Sequence, residues 1–218
     1  MTKTAIITGA SGLIGSKLLT MLLHSKEYEV VVSLGRKKVK KKHVKLRRVI
    51  VDFEDPDTYA QHLNGDVFFC CLGTTRKQTP DKEDYYKIDH DYPTNLAKAA
   101  KKMGIKQFHF ISAIGADAST SNFYLKTKGE TEKDLRNIGL ESLFIYQPSL
   151  LTGKRRNQRL GERAAAFVMA VVNPLLLGGL KKYKSIAALT VARAMFNQSL
   201  KETKGVSVYT TDQIKKRA

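Results

Sequence analysis

The sequence predicts an α/β fold, a doubly wound parallel sheet with helices on both faces. Three observations predict it: a glycine-rich turn at residues 8–15, a series of short and nearly uninterrupted apolar segments, and helical apolar spacing in the stretches between them. The apolar segments lack the polar alternation of a sheet with one wet face, so both faces are expected to be covered, as in parallel sheets.

The elements follow in order. Ala5-Ile6-Ile7 reads as the first strand, and Lys17 to Leu23 as the first helix. Between them lies Thr8-Gly9-Ala10-Ser11-Gly12-Leu13-Ile14-Gly15. Strand, tight glycine turn and helix N-terminus in that order make a pyrophosphate-binding device. Gly9 and Gly12 let the backbone turn and approach a ligand, and Gly15 lets helix and strand pack. The first helical N–H groups and the helix dipole receive the phosphate charge. Later strands are expected at 29–34, 48–51, 66–72, 107–111 and 142–146, with the clearest helical patterns over 86–103 and 123–138. This is the pattern of a Rossmann dinucleotide-binding fold, with ligands at the carboxyl ends of the strands. One domain is expected over residues 1–218: a dinucleotide-binding core at 1–153 and a small C-terminal substrate-side extension or lid at 154–218.

Composition excludes a disordered chain, since 42% of the residues are hydrophobic and the charges are mixed. Cys70 and Cys71 are adjacent and cannot form an ordinary structural disulfide. They read as reduced, buried thiols. With no room for a signal peptide before the first strand, they lead to an expected cytoplasmic location. The longest uncharged run, Ala164 to Leu180, is 17 residues long and broken by Asn173, Pro174 and two glycines, so a buried helix and turn is expected rather than a membrane span. Its Phe167, Val168, Val171, Leu175 and Leu176 read as core.

Net charge is +18, and residues 36–48 alone hold nine Lys or Arg and no acid. A smaller basic cluster follows at Lys154, Arg155, Arg156, Arg159 and Arg163. Such patches attract polyanions. Without exposed aromatic platforms or a helix-turn-helix signature, the sequence argues against a nucleic-acid partner. Most of these lysines read as a solvated loop, Arg36 being the exception.

Arg36 and Lys37 stand at the end of the second strand, where an acid would serve the ribose hydroxyls of NAD(H) and repel a 2′-phosphate. Arg grips a phosphate with paired hydrogen bonds and stacks on adenine, so NADP(H) is expected over NAD(H). Asp52 and Phe53, past the third strand, face the adenine in this reading, with capping as the alternative for Asp52. Leu72, Gly73 and Thr74 form a small turn at the middle of the cofactor. Of nine tyrosines only Tyr124 has a Lys four positions on, Lys128, so the two share a helix face. The ammonium then lowers the phenol's pKa and reaches a ribose hydroxyl. Ser112 ends the fifth strand and orients a substrate carbonyl, or else caps a turn.

Collinear segments now reveal a family. TGASGLIG at 8–15, CLGTTR at 71–76, KIDHDYPTNLAKAA at 87–100, FISAIGAD at 110–117, YLKTKGETE at 124–132, QPSLLTG at 147–153 and VARAM at 191–195 cover most of the chain. Together they resemble the short-chain dehydrogenase/reductase superfamily in its atypical, extended-like branch, most nearly the subgroup of the metazoan Tat-interacting-protein oxidoreductase and its bacterial relatives. The resemblance implies Gly9, Ser11, Gly12, Leu13, Ile14 and Gly15 at the pyrophosphate and Arg36 at the 2′-phosphate. Leu72, Gly73 and Thr74 would line the nicotinamide-side ribose, and Lys128 would anchor it. Tyr124 is implied as general acid/base, and Pro148, Ser149, Leu150 and Leu151 meet the nicotinamide carboxamide. The chain departs from relatives in having Ala113 after Ser112 and Gln147 where an Arg often precedes the proline.

Two functions follow as expectations. One is an NADP(H)-dependent oxidoreductase acting on a carbonyl or hydroxyl of an undetermined small molecule, as monomer or homodimer. The other is an NADP(H)-sensing regulatory or scaffold protein with little turnover. No metal site is expected.

Overall fold

In the computed structural model, which describes residues 2–153 and 178–218, a seven-stranded sheet runs through the molecule. The basic cluster at 154–163 and the apolar run from Ala164 up to residue 177 lie outside the described residues.

The first half builds β1 (Lys3–Thr8), α1 (Gly15–His24), β2 (Tyr28–Gly35), β3 (Leu46–Ile50), the short α2 (Asp57–Ala60) and β4 (Val67–Cys70). Next come α3 (Lys82–Tyr86), a π-helical turn (Lys87–Asp91), α4 (Tyr92–Lys102), β5 (Gln107–Ile111), α5 (Phe123–Ile138) and β6 (Ser142–Gln147). A two-residue β7 (Leu151–Thr152) pairs with β8 (Ile186–Ala187); then α6 (Ala188–Ser199), β9 (Gly205–Thr210) and α7 (Thr211–Lys215) follow.

Strand order is β3-β2-β1-β4-β5-β6-β9, and every pairing in this sheet is parallel. The order reverses between β1 and β4, which opens a crevice at their carboxyl ends. Successive residues of each central strand enter opposite cores. Ala5, Ile7, Phe69, Phe144 and Tyr146 pack with α1 and α6, whereas Ile6, Phe68, Phe108, Phe110 and Ile145 pack with α4 and α5. Burial on both faces explains why these strands read as continuous apolar runs.

Two elements differ from the sequence reading, and each has a local cause. The helix expected over 86–103 starts earlier, at Lys82, because the Asp81 carboxylate caps the amides of Glu83 and Asp84. It widens into the π turn just before Pro93. Pro93 has no N–H to return to the Asp89 carbonyl, which instead lies 3.0 Å from the Thr131 hydroxyl and shares its single proton with the Thr127 carbonyl at 2.7 Å. Within 154–218, the stretch 188–210 supplies α6, which packs on α1, and the edge strand β9, in register with β6. None of the helices among the described residues is long and apolar enough to cross a membrane.

Candidate functional site

The glycine turn lies at the crevice. Gly9 has φ +68°, and a Cβ there would stand 2.1 Å from the Cys71 carbonyl oxygen at the end of β4. A Cβ on Gly15 would stand 2.3 Å from the Gly9 carbonyl oxygen. Only glycine fits either place, because the obstructing atoms are backbone. The turn closes through the Gly12 amide, which donates to the Gly9 carbonyl at 2.9 Å. Ser11 and Gly12 are exposed, while Leu13 packs beside Gly153 and Ile14 is buried. No side chain caps α1 and no acid stands in its first turn, so nothing competes there with an anion. These residues fit a pyrophosphate: close-approach backbone, an uncapped helix start and no negative charge.

Arg36 and Lys37 are exposed past the end of β2. Arg36 is near enough to Tyr92 for its charge to act on that phenol, which burial and a hydrogen bond to Glu54 push up to about 12 while Arg36 opposes. Asp52 is occupied locally, its carboxylate accepting from the Glu54 amide at 3.0 Å. Phe53 is buried in the core with its ring 5.5 Å from that of Tyr92, so its side chain is not presented to a ligand.

On the other flank of the crevice, α5 presents Tyr124 and Lys128. Asn122 caps this helix by accepting from the Leu125 amide, and Gly139 ends it in a left-handed conformation, so its limits match the sequence reading. Tyr124 keeps 38% of its surface exposed, enough for a substrate to reach it, whereas Lys128 is buried. The Lys128 ammonium lies 2.8 Å from the Asp89 carboxylate and 3.3 Å from the Ile111 carbonyl oxygen. It also sits 4.9 Å from the centre of the Phe110 ring. Burial pulls its pKa down, but Asp89 and then Tyr124 outweigh that and hold it above the usual lysine range. Gly73 faces this pair: a Cβ there would be 3.6 Å from Asp89 Oδ1 and 3.9 Å from Lys128 Nζ. The Thr74 amide donates to Asp89 Oδ2 at 2.8 Å. The turn of Leu72, Gly73 and Thr74 is thus joined to the Tyr124 helix through Asp89.

Ser112 is placed differently. It is buried, and its hydroxyl donates to Glu132 Oε1 at 2.5 Å, an acceptor shared with the Gln147 amide at 2.8 Å. A hydroxyl has one proton, and this one is committed. Pro148 is buried and its carbonyl accepts from the Ile114 amide. The Ser149 amide donates to the Thr211 hydroxyl at 2.8 Å, Leu150 is exposed, and Leu151 begins β7.

Asp89, Glu132 and Gln147 escaped the sequence reading as site residues. For Asp89 a signal existed: it falls on one helical stripe with buried Tyr85 and Leu96, and a carboxylate on an apolar stripe calls for a buried partner.

Strand order, glycine turn and crevice define a dinucleotide-binding Rossmann protein. A family model described as NAD(P)H-binding matches residues 9–174, and the chain belongs to that family. It is 34% identical to protein HTATIP2 of Rattus norvegicus over 199 residues, 89% of this chain and 80% of the rat protein. It is 31% identical to "Protein fmp52, mitochondrial" of Aspergillus fumigatus over 212 residues, 94% of this chain and 90% of that one. Among solved structures, WbmH of Bordetella bronchiseptica in complex with NAD+ superposes with a TM-score of 0.72 at 17% identity, over 96% of this chain and 76% of its own. The dTDP-4-dehydrorhamnose reductase of Bacillus anthracis in complex with NADP does so with 0.68 at 17% identity, over 96% and 75%. Neighbours of this fold therefore hold either cofactor.

The expected cytoplasmic location is overturned: the fungal relatives, among them those of Coccidioides immitis and Meyerozyma guilliermondii, are named mitochondrial. The physical reason is that the thiols report a redox state and not a compartment. Burial pushes Cys70 up to about 11 and Cys71 well above its usual value, which favours the thiol form of both in either compartment.

Proposed function

We propose that the protein is an NADP(H)-dependent oxidoreductase of the short-chain dehydrogenase/reductase type, acting on a carbonyl or its alcohol. The observation that carries this reading is the pairing of an accessible Tyr124 with a buried, charged Lys128 on one face of α5, at the carboxyl end of β5. When bound, the cofactor supplies or removes a hydride. The glycine turn from Gly9 to Gly15 holds its pyrophosphate, and Arg36, with Lys37 beside it, grips the 2′-phosphate. Lys128 has three N–H donors and two protein acceptors, which leaves one for a ribose hydroxyl. Tyr124 exchanges the proton of the substrate oxygen. Leu72 to Thr74 and Pro148 to Leu151 line the nicotinamide end, and the region after 153 shapes the substrate side.

A second reading, an NADP(H)-sensing scaffold with little turnover, is favoured by one observation: the Ser112 proton is taken up by Glu132. One experiment separates the two. NADPH consumption is followed over a panel of aldehydes and ketones for the wild type and Tyr124→Phe, beside NADPH affinity by fluorescence titration. Turnover lost in the variant with affinity retained supports the oxidoreductase. Equal turnover in both proteins removes it, and NADPH binding without turnover in either favours the sensor.

A further inference from the structure

Asp89 occupies a place that the proposed chemistry does not require, yet its carboxylate is held at both oxygens beside Lys128. One carboxylate oxygen takes the Lys128 ammonium at 2.8 Å and the other the Thr74 amide at 2.8 Å, while its carbonyl lies 3.0 Å from the Thr131 hydroxyl. It is 1% exposed, and two separate segments, the turn after β4 and α5, fix it in position. A carboxylate so held cannot swing away when Lys128 is needed elsewhere. A buried ammonium alone would draw the nearby phenol towards ionisation; an ammonium carrying its own carboxylate at contact distance projects little net charge.

We propose that Asp89 is a positioning residue that opposes the field of Lys128 at Tyr124, keeping the phenol protonated as the proton donor for carbonyl reduction. The inference rests on the oxidoreductase reading. In that direction the carbonyl carbon accepts a hydride, with its electron pair, from reduced nicotinamide. The carbonyl oxygen takes the Tyr124 proton, and the tyrosinate is reprotonated from solvent. The balance is NADPH, a proton and a carbonyl in, NADP+ and an alcohol out. The groups facing Tyr124 agree with a protonated phenol. Lys128 on its own helix draws it towards ionisation and Asp89 on the π turn opposes that, while Tyr85 on α3 adds a neutral hydroxyl. Arg76, after β4, acts on Tyr85, and Cys70 faces the ion pair as a thiol. Burial, the largest influence, adds to Asp89 and holds the phenol above its usual range.

The test is an ultraviolet difference titration of tyrosinate in the protein without cofactor, the Tyr124 transition being assigned by subtraction of Tyr124→Phe. Asp89→Asn should lower that transition by about one pH unit or more, a tenfold change in ionisation constant. Lys128→Met should raise it, and Asp89→Asn/Lys128→Met should return it towards the wild type. Should Asp89→Asn not fold, because it leaves a buried charge unpaired, the double variant replaces the pair by neutral groups. Its transition should then lie below that of Lys128→Met alone. A transition unmoved by loss of the Asp89 charge in either background overturns the inference. The titration needs no substrate, so a failed oxidoreductase reading shows separately, as equal turnover of wild type and Tyr124→Phe.

Discussion

The Ser112 hydroxyl donates to Glu132 at 2.5 Å across the joint between β5 and α5, and Gln147 at the end of β6 closes the same carboxylate from a third side. Three elements meet there in one buried polar cluster. Ser112→Ala is expected to cost stability, about 1–3 kcal/mol for a buried acceptor left short of a donor. Denaturant unfolding measures that cost. A fall in kcat of the size expected for a lost acid/base group, about 10²–10⁴-fold, without a stability change would instead place Ser112 in the reacting set.

Gly15→Ala places a methyl group 2.3 Å from the Gly9 carbonyl oxygen, so the turn has to open. NADPH affinity should fall by about tenfold or more, since 1.4 kcal/mol suffices for that and backbone displacement costs about 1–3 kcal/mol. Fluorescence titration reads it, and an unchanged affinity would remove this turn from the cofactor site.

Arg36 is exposed past β2, with no acid in the 36–48 segment. Arg36→Ala should weaken NADPH by about 10- to 100-fold, the worth of a hydrogen bond to a charged group at about 1.5–3 kcal/mol, and leave NADH nearly unchanged. The NADPH preference should also shrink with added salt, because exposed charges are screened. Equal effects on both cofactors would assign the 2′-phosphate to another residue.

His109 stacks on Phe144 and meets Phe69 at a tilt, with ring centroids 4.5 Å and 4.8 Å away. Its Nδ1 accepts from the Tyr146 hydroxyl at 3.0 Å, and its Nε2 donates to Gln107 Oε1 at 3.3 Å. Burial, aided by the charge of Lys3, pulls its pKa from 6.5 to about 3. Between those values the unfolded chain binds the proton and the folded one does not. The stability is therefore complete above about pH 6.5 and lost progressively as pH falls towards 3. Urea unfolding between pH 7 and pH 4.5 should show a slope shallower by about one proton, about 1.4 kcal/mol per pH unit, in His109→Phe. Equal slopes in the two proteins would mean that His109 charges in the fold.

Much of the fold was legible in the chain, as were the glycine turn and the Tyr124–Lys128 pair of the candidate site. β5 and α5 fall where local pattern puts them, because an apolar run bounded by turns and a helix with an Asn cap and a Gly stop are encoded within a few residues. The glycine turn is equally local. β9 was not foreseen: GVSVYT is short and half polar, and what makes it a strand is its pairing with the free edge of β6. The C-terminal region thus extends the sheet.

By itself the sequence determined the glycine turn, the buried apolar strands and the Tyr124–Lys128 spacing, since each is written in the local pattern of the chain. Only the tertiary structure decided what those groups meet. Lys128 finds Asp89 from 39 positions away, because Pro93 widens the helix into a π turn and Thr131 lies against the freed carbonyl. Ser112 finds Glu132 from 20 positions away, because β5 and α5 pack side by side. Charge and hydrogen bonding act through space, so the electrostatic balance at Tyr124 exists only once the sheet has brought these segments together.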